Sequence, residues 1–181
     1  MTPPLHPAGT VAGLQTERLN LRPLTLDDAA DYWPLVRDAE ILRYVGEKPC
    51  ESLDAVRALL RDRPLADYAN HGYGRLAVTT REDGRFVGWC GLKYLPDLDE
   101  VDIGYRFLRD CWGRGYASEA GAAVLRQGFE QLGLQRIVGL VVPDNAASVR
   151  VLCKLGLRHE RRLRLPLHTE EIDLYAIARA A

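Results

Sequence analysis

The sequence predicts an α/β domain whose central sheet carries helices on both faces. Apolar residues alternate over several short segments and recur at helical spacing over others. The order is one strand, two helices, three strands, a helix, a strand, a helix and two strands, which favours a mixed sheet. At 181 residues the chain has the size of one domain. We expect the fold to span residues 14–181, and residues 1–13, rich in Pro and Gly, to form a disordered leader.

The first half of the chain supplies three strands and two helices. Thr25 and Ser52 precede helical apolar patterns and are predicted N-caps. Glu82-Asp83-Gly84-Arg85 is a hairpin signal between the second and third strands. The three strands are predicted over residues 14–24, 74–80 and 85–94.

The second half begins with a strand over residues 100–108. Its odd-numbered residues are apolar and share one face, whereas Glu100, Asp102, Gly104 and Arg106 share the other. A long helix follows and ends near Gly133, and a short helix follows Asn145. The last strands are predicted over residues 136–142, 157–164 and 172–179.

Composition excludes several classes of partner. The chain has 24 Lys plus Arg against 25 Asp plus Glu, which gives no overall field for nucleic acid or an anionic membrane. No apolar run approaches the length of a membrane span, so we expect no membrane contact. The basic cluster Arg158–Arg164 alternates with leucines and is typical of the wet face of a strand. The four cysteines lack C-x-x-C spacing, so we expect buried thiols in a reducing cytoplasm and no metal.

A glycine-rich turn at residues 111–120 joins the fourth predicted strand to the long helix. Unpaired amides and the positive end of the dipole make a helix start suitable for an anion, and glycine lets the anion approach the backbone. A dinucleotide fingerprint is the rival interpretation. It requires a very small residue where Ser118 stands, and it belongs near the start of a domain. A Walker A loop is absent from the sequence.

Arg114-Gly115-Tyr116-Ala117 resembles the coenzyme A pyrophosphate loop of the GNAT N-acetyltransferases. That loop reads Gln/Arg-x-x-Gly-x-Gly/Ala, and Gly115 and Ala117 match its last two fixed places. Trp112 stands where Gln or Arg is usual. That departure is similar to the ribosomal-protein N-acetyltransferases of the Rim type, which often read Trp-Gly-x-Gly-Tyr-Ala.

Three further segments resemble the same branch, in the same order, so that the resemblance covers residues 14–179. It implies a mixed, mostly antiparallel sheet in which one pair of strands splays apart to hold the cofactor. The segments are Thr16-Glu17-Arg18-Leu19-x-Leu21-Arg22, Asp102-Ile103-Gly104-Tyr105, and Asn145-x-x-Ser148-x-x-Val151 with Lys154-Leu155-Gly156.

The resemblance implies where acetyl-CoA would bind. The loop amides would face the pyrophosphate, an amide of the splayed strand would polarise the acetyl oxygen, and Asn145 would bond the pantetheine arm. Asn145 and Ser148 are equally good as an N-cap and a first-turn residue. The implied cofactor-binding residues are Ile103, Gly104, Tyr105, Gly113, Arg114, Gly115, Tyr116, Ala117, Ser118 and Asn145.

Catalytic roles follow from the same placement. Ser148 would lie near the cofactor sulfur and stabilise the leaving thiolate by a hydrogen bond. Asp102 and Glu100 share the strand face beside the acetyl group, where a carboxylate could accept a proton through water if burial raises its pKa. They could also attract the cationic amine, or be surface residues; His159 and His168 are alternative bases.

The predicted activity is acetyl transfer from acetyl-CoA to a primary amine by direct attack in a ternary complex. The Rim-type resemblance favours the α-amine of a protein or peptide, and a small-molecule amine is the alternative acceptor. It also implies that the two early helices cover the acceptor groove, so that Tyr44 is a candidate substrate contact. A non-catalytic acyl-CoA-binding module is the alternative from another class. A monomer or homodimer is expected.

Overall fold

The computed structural model describes residue 11 and residues 13–165 and 171–179. One eight-stranded sheet runs through this part, in the order β1-β2-β3-β4-β5-β6-β8-β7. All neighbouring strands are antiparallel except β5 and β6, which are parallel. The strands are β1 Leu14–Gln15, β2 Leu19–Pro23, β3 Arg75–Thr80, β4 Phe86–Leu95, β5 Glu100–Phe107, β6 Arg136–Val141, β7 Arg158–Leu163 and β8 Ile172–Ala178.

Helices cover both faces of the sheet, as predicted. The long helix α5 packs on one face against a core that includes Ile103 and Phe107. On the other face, Trp89 and Ala77 pack with the early helices. The helices are α1 Ala29–Tyr32, α2 Ala39–Leu42, α3 Leu53–Leu60, α4 Ala66–His71, α5 Tyr116–Glu130 and α6 Ala146–Lys154.

The predicted strand over residues 14–24 is instead a hairpin of β1 and β2. The chain turns at Thr16, whose backbone N–H donates to the Leu19 carbonyl oxygen at 2.9 Å. The Thr16 hydroxyl in turn accepts the Leu19 N–H at 3.1 Å. Local side-chain bonding of this kind competes with an extended strand, and alternation alone does not reveal it.

The predicted helix after Thr25 is broken into short turns. Its start is correct, since Thr25 and Asp28 form a capping box. Pro34 then lies in a 3₁₀ segment over Trp33–Val36, where its missing N–H cannot continue an α-helical ladder. The Ser52 cap is confirmed, because its hydroxyl accepts the Ala55 N–H at 3.1 Å.

The parallel pair β5 and β6 separates soon after it forms. The two strands share one register pair, Asp102 with Val138. Beyond it, the Leu140 N–H donates to Asp102 Oδ1 at 3.1 Å, so that a side chain bridges the widening gap. The amides of β5 from Ile103 onward therefore border a gap between two strands.

The prediction that the cysteines are buried thiols is confirmed only in part. Cys90 and Cys111 are buried thiols, whereas Cys153 is exposed, contrary to expectation. The predicted leader falls on residues 1–13, of which only Val11 and Gly13 lie within the described part. Within that part, no helix combines the length and the apolar character needed to cross a bilayer.

Candidate functional site

The loop before α5 is built around two glycines with left-handed backbone. Gly113 has φ 75° and Gly115, the N-cap of α5, has φ 80°. Most other residues avoid this region, so the sequence needs glycine at both positions. A Cβ at Gly113 would meet no atom within 4 Å, so the space above the loop is open. The first amides of α5 therefore face a space that an anion can reach.

Glu119 in the first turn of α5 ties this loop to the β1–β2 turn. Its carboxylate accepts from the Thr16 hydroxyl at 2.6 Å, the Arg18 N–H at 2.8 Å and Arg18 Nε at 2.7 Å. Burial alone would raise the pKa of Glu119, but the hydrogen bonds from Thr16 and Arg18 hold it below its usual value. A negative charge is also favourable at this end of a helix.

Arg18 braces the loop itself. Its Nη1 donates to the Arg114 carbonyl oxygen at 3.0 Å, and its guanidinium stacks 4.9 Å from the centroid of the Tyr116 ring. We did not predict this role, although Thr16-Glu17-Arg18 belongs to one of the segments that carried the resemblance. Arg18 and Glu119 are 101 residues apart in the sequence, so no local pattern predicts their contact.

At the start of α6, Asn145 is an N-cap: its side chain accepts the Ser148 N–H at 3.1 Å. The Tyr105 hydroxyl donates to the Ser148 carbonyl oxygen at 2.9 Å and lies 3.0 Å from Ser148 Oγ. Burial raises the pKa of Tyr105 well above its usual value. The phenol of Tyr105 therefore keeps its proton and lies next to the Ser148 hydroxyl.

An open cleft of about 390 Å³ joins these two parts of the structure. It is bordered on one side by the loop before α5 and on the other by α6, with Tyr44 of the segment after α2 at one end. The predicted site residues that line it are Tyr105, Gly113, Gly115, Tyr116, Ala117, Ser118, Asn145 and Ser148.

Five predicted residues do not line this cleft. The Ile103 side chain is buried in the core, so only its backbone could serve a ligand. Gly104 lies beside Arg75 and Trp89 on the opposite face of β5. Arg114 points outward from the loop and is exposed. Asp102 and Glu100 also lie outside the lining.

The two predicted carboxylates have different surroundings. Asp102 is 7% exposed, and burial raises its pKa despite the nearby charge of Arg75 and the Leu140 hydrogen bond. Glu100 instead accepts from Arg136 Nε at 2.9 Å. Arg136 also pairs with Glu160, so Glu100 belongs to a surface ion-pair network. His159 lies 3.2 Å from the Asp173 carboxylate, and His168 is outside the described residues.

Sequence reasoning missed two cations on the cleft wall. Arg150 and Lys154 line the cleft from α6, both exposed. They stand four residues apart, and therefore on one helical face, together with Ala147 and Val151. That spacing is visible in the sequence and could have identified a cationic face opposite the loop. Trp112, 49% exposed, also lines the cleft, with its indole N–H donating to the Phe107 carbonyl oxygen at 2.9 Å.

Comparison with known proteins agrees with this arrangement. The family model of the acetyltransferase (GNAT) domain matches residues 18–158. The chain is 33% identical over 158 residues to the uncharacterized N-acetyltransferase p20 of Bacillus licheniformis, covering 83% of this chain and 85% of that protein. It is 30% identical over 155 residues to the FsC-acetyl coenzyme A-N(2)-transacetylase of Aspergillus fumigatus, covering 81% and 65%.

The fold has solved counterparts. An acetyltransferase from Agrobacterium tumefaciens superposes with a TM-score of 0.81 at 28% identity, over 94% of this chain and 96% of that one. The extent of the family match, the similarity to named N-acetyltransferases and the shared fold agree with the glycine loop and the splayed strands. The chain belongs to the GNAT family of acetyltransferases.

Proposed function

We propose that this acyltransferase moves an acetyl group from acetyl-CoA to the α-amine of a protein or peptide. The observation that carries the proposal is the continuous cleft from the glycine loop to the paired hydroxyls of Tyr105 and Ser148. A helix start suited to phosphate and a proton-bearing pair that line one cleft suit a substrate that carries both a phosphate group and a thioester.

The residues present fit acetyl-CoA. Above Gly113 there is room for a pyrophosphate, and the first amides of α5 are available as donors. Arg150 and Lys154 add positive charge along the same cleft. Ser118, in the first turn of α5, adds a hydroxyl to the lining. When bound, acetyl-CoA supplies an activated acetyl thioester.

Tyr105 and Ser148 are suited to stabilise the sulfur anion that acetyl transfer leaves. Since the pKa of Tyr105 is raised, the phenol keeps its proton and acts as a hydrogen-bond donor rather than an acid. The Tyr105 hydroxyl donates to the Ser148 carbonyl oxygen and so helps to fix the first turn of α6, and the Ser148 hydroxyl beside it can donate its own proton into the cleft. A donor fixed in advance stabilises charge that develops in the transition state.

For the base we propose Asp102 rather than Glu100. Burial raises the pKa of Asp102, and its position at the mouth of the strand gap puts it beside the amides of β5. Glu100 is already engaged by Arg136, which also pairs with Glu160 on the surface. An α-amine, with a pKa of about 8, needs only a modest base at neutral pH.

The acceptor rests on narrower support. The Trp112–Ala117 loop is similar to that of the Rim-type enzymes, which supports a protein or peptide α-amine. A small-molecule amine is the second candidate, and it is favoured by a relative from Escherichia coli, 25% identical over 154 residues, that is named spermidine N(1)-acetyltransferase.

A thiol-release screen tests the proposal. Free CoA would be followed in the presence of acetyl-CoA and of peptides with free or blocked N-termini, alongside a panel of small amines. We expect release that depends on a free α-amine, and stabilisation of the fold by acetyl-CoA of about 2.7 kcal/mol at 100 times its dissociation constant. Release with small amines alone would favour the second candidate, and stabilisation by NADH instead of acetyl-CoA would contradict the proposal.

A further inference from the structure

Three strands carry an unusual row of residues on the sheet face opposite α5. Arg75 of β3 pairs with Gly91 of β4, which pairs with Gly104 of β5. Gly104 brings no side chain to this face, and the Arg75 side chain reaches it. Its Nη2 and Nε lie 3.3 and 3.4 Å from the position that a Cβ on Gly104 would take. The guanidinium therefore lies against the strand whose amides border the proposed acetyl site.

The guanidinium is held in place by an aromatic ring. Its carbon lies 4.4 Å from the centroid of Trp89, and a Cβ on Gly104 would also touch Trp89, at 3.2 Å. Stacking on a Trp face orients an arginine without using its N–H groups. Arg75 is thus fixed in orientation while its donors stay available.

Those donors have no acceptor in the described part of the protein. Arg75 Nε is buried without a hydrogen-bond partner, and no described carboxylate lies within 4.0 Å of Arg75 or of Lys93. The buried Tyr73 hydroxyl also lacks a partner among the described residues. A buried N–H donor without an acceptor is costly for a folded chain, and a ligand oxygen at Arg75 Nε would remove that cost.

Nearby carboxylates do not satisfy Arg75. Asp67 and Asp102 are within electrostatic reach of Arg75 and Lys93, but beyond ion-pair distance. Asp102 Oδ1 already accepts the Leu140 N–H. Burial raises the pKa of both carboxyls, and neither forms an ion pair with Arg75 or Lys93.

We infer that Arg75, supported by Lys93, is a subsite for a carboxylate on the acceptor, so that the acceptor is a primary amine with a carboxylate close to it. This rests on the proposed acetyltransferase function and narrows its acceptor. A planar carboxylate matches the fork of guanidinium donors in two parallel hydrogen bonds. The carboxylate could be that of a free amino acid or the acidic side chain of an N-terminal Asp or Glu.

The first experiment measures binding without turnover. N-acetyl-leucine and N-acetyl-leucine amide, which differ only in the carboxylate, are titrated by calorimetry into the CoA-saturated protein. The same is done with two N-acetylated, C-terminally amidated tripeptides that begin with Asp or Asn. We expect one carboxylate probe to bind about tenfold or more tightly than its neutral match. The pair that shows the preference identifies the source of the carboxylate.

Variants assign the preference to Arg75. Arg75→Met keeps a stem that can pack on Trp89, and should remove the preference; Arg75→Lys, which keeps the charge without the fork, should retain part of it. Arg37→Met is the matched control, because Arg37 also stacks on a Trp ring, 5.3 Å from Trp33, but on the exposed surface. It should leave the preference unchanged.

The outcomes separate the subsite from the proposed function. If the wild-type protein binds the carboxylate and neutral probes equally, or acetylates the corresponding free amines (leucine and leucine amide, and the tripeptides without the N-acetyl group) equally, the subsite is refuted while the acetyltransferase proposal stands. Preferred acetylation of a diamine over all of these free amines would also refute it, and would assign Asp67 and Asp102 to the acceptor. If no amine is acetylated but the carboxylate probes bind through Arg75, the subsite stands and the proposed transfer fails.

Discussion

Replacing Glu119 by Gln tests whether the brace between the β1–β2 turn and α5 stabilises the fold. Glutamine has nearly the same shape, and its one carbonyl oxygen can still accept from Thr16 or the Arg18 amide. Its NH₂ group, however, would face the Arg18 guanidinium, donor against donor. The change therefore removes a charge-assisted bond of 2.7 Å with little change in volume.

The expected loss is about 1.5 kcal/mol in the free energy of unfolding, the lower end of the range for hydrogen bonds to charged groups. The lower end applies because the Arg18 side chain is 46% exposed and water partly replaces the lost partner. Urea denaturation at pH 7 measures the loss. Glu130→Gln is the control, since Glu130 is exposed in the last turn of the same helix and has no side-chain partner among the described residues.

Acid adds a second readout with a definite sign. Because the folded protein holds the pKa of Glu119 below its usual value, its stabilisation is complete above about pH 4.3, the unfolded value, and is lost as the pH falls through the folded pKa. The wild-type and Glu119→Gln stabilities should converge in that acidic range. A loss within about 0.5 kcal/mol of the Glu130→Gln control, or one that persists in acid, would refute the brace.

Four substitutions test the proposed site. Gly115→Val should weaken CoA binding more than it destabilises the fold, because a β-branched residue at φ 80° strains the loop where phosphate would approach. Calorimetric titration of CoA into the folded variant measures the loss of affinity. Wild-type affinity would place the phosphates elsewhere. Ser148→Ala and Tyr105→Phe should each lower kcat while leaving acetyl-CoA affinity nearly intact. Equal losses in kcat and in acetyl-CoA affinity would mean that these residues only bind the cofactor. Asp102→Asn, which keeps an acceptor for Leu140, should lose rate most at low pH if Asp102 is the base, and an unchanged pH–rate profile and KM would remove it from the site.

Much of the sheet could be predicted from the sequence, because the alternation over β5 is set by which face is buried. The odd residues from Val101 to Phe107 do pack against the α5 core. The predicted bounds of the first strand and the first helix were wrong because of local features of the sequence. In both places a short-range feature, the Thr16 turn and the Pro34 break, interrupts a pattern that extends across it.

The candidate site was predictable where glycine geometry determines it. Gly113 and Gly115 have the left-handed backbone that a tight loop at a helix start requires. The contacts of Arg18 with Glu119 and of Arg75 with Trp89 join distant segments, and no periodicity encodes them. Tyr105 was predicted for its amide, whereas the structure gives its side chain a partner on α6.

The alternation of β5 also separates two halves of the proposed reaction. Tyr105 lies on the face toward α6 and the glycine loop, next to Ser148. Gly104 and Asp102 lie on the other face, where Arg75 stacks and where we propose that the acceptor binds. Because successive side chains of a strand point to opposite faces, neighbouring residues can serve the leaving sulfur on one side and the attacking amine on the other. A one-residue change of register would exchange those faces. The register of β5 at the gap is fixed by the Asp102–Val138 pair and by the Leu140 hydrogen bond to Asp102. These two contacts therefore also determine which face of β5 each reactant meets.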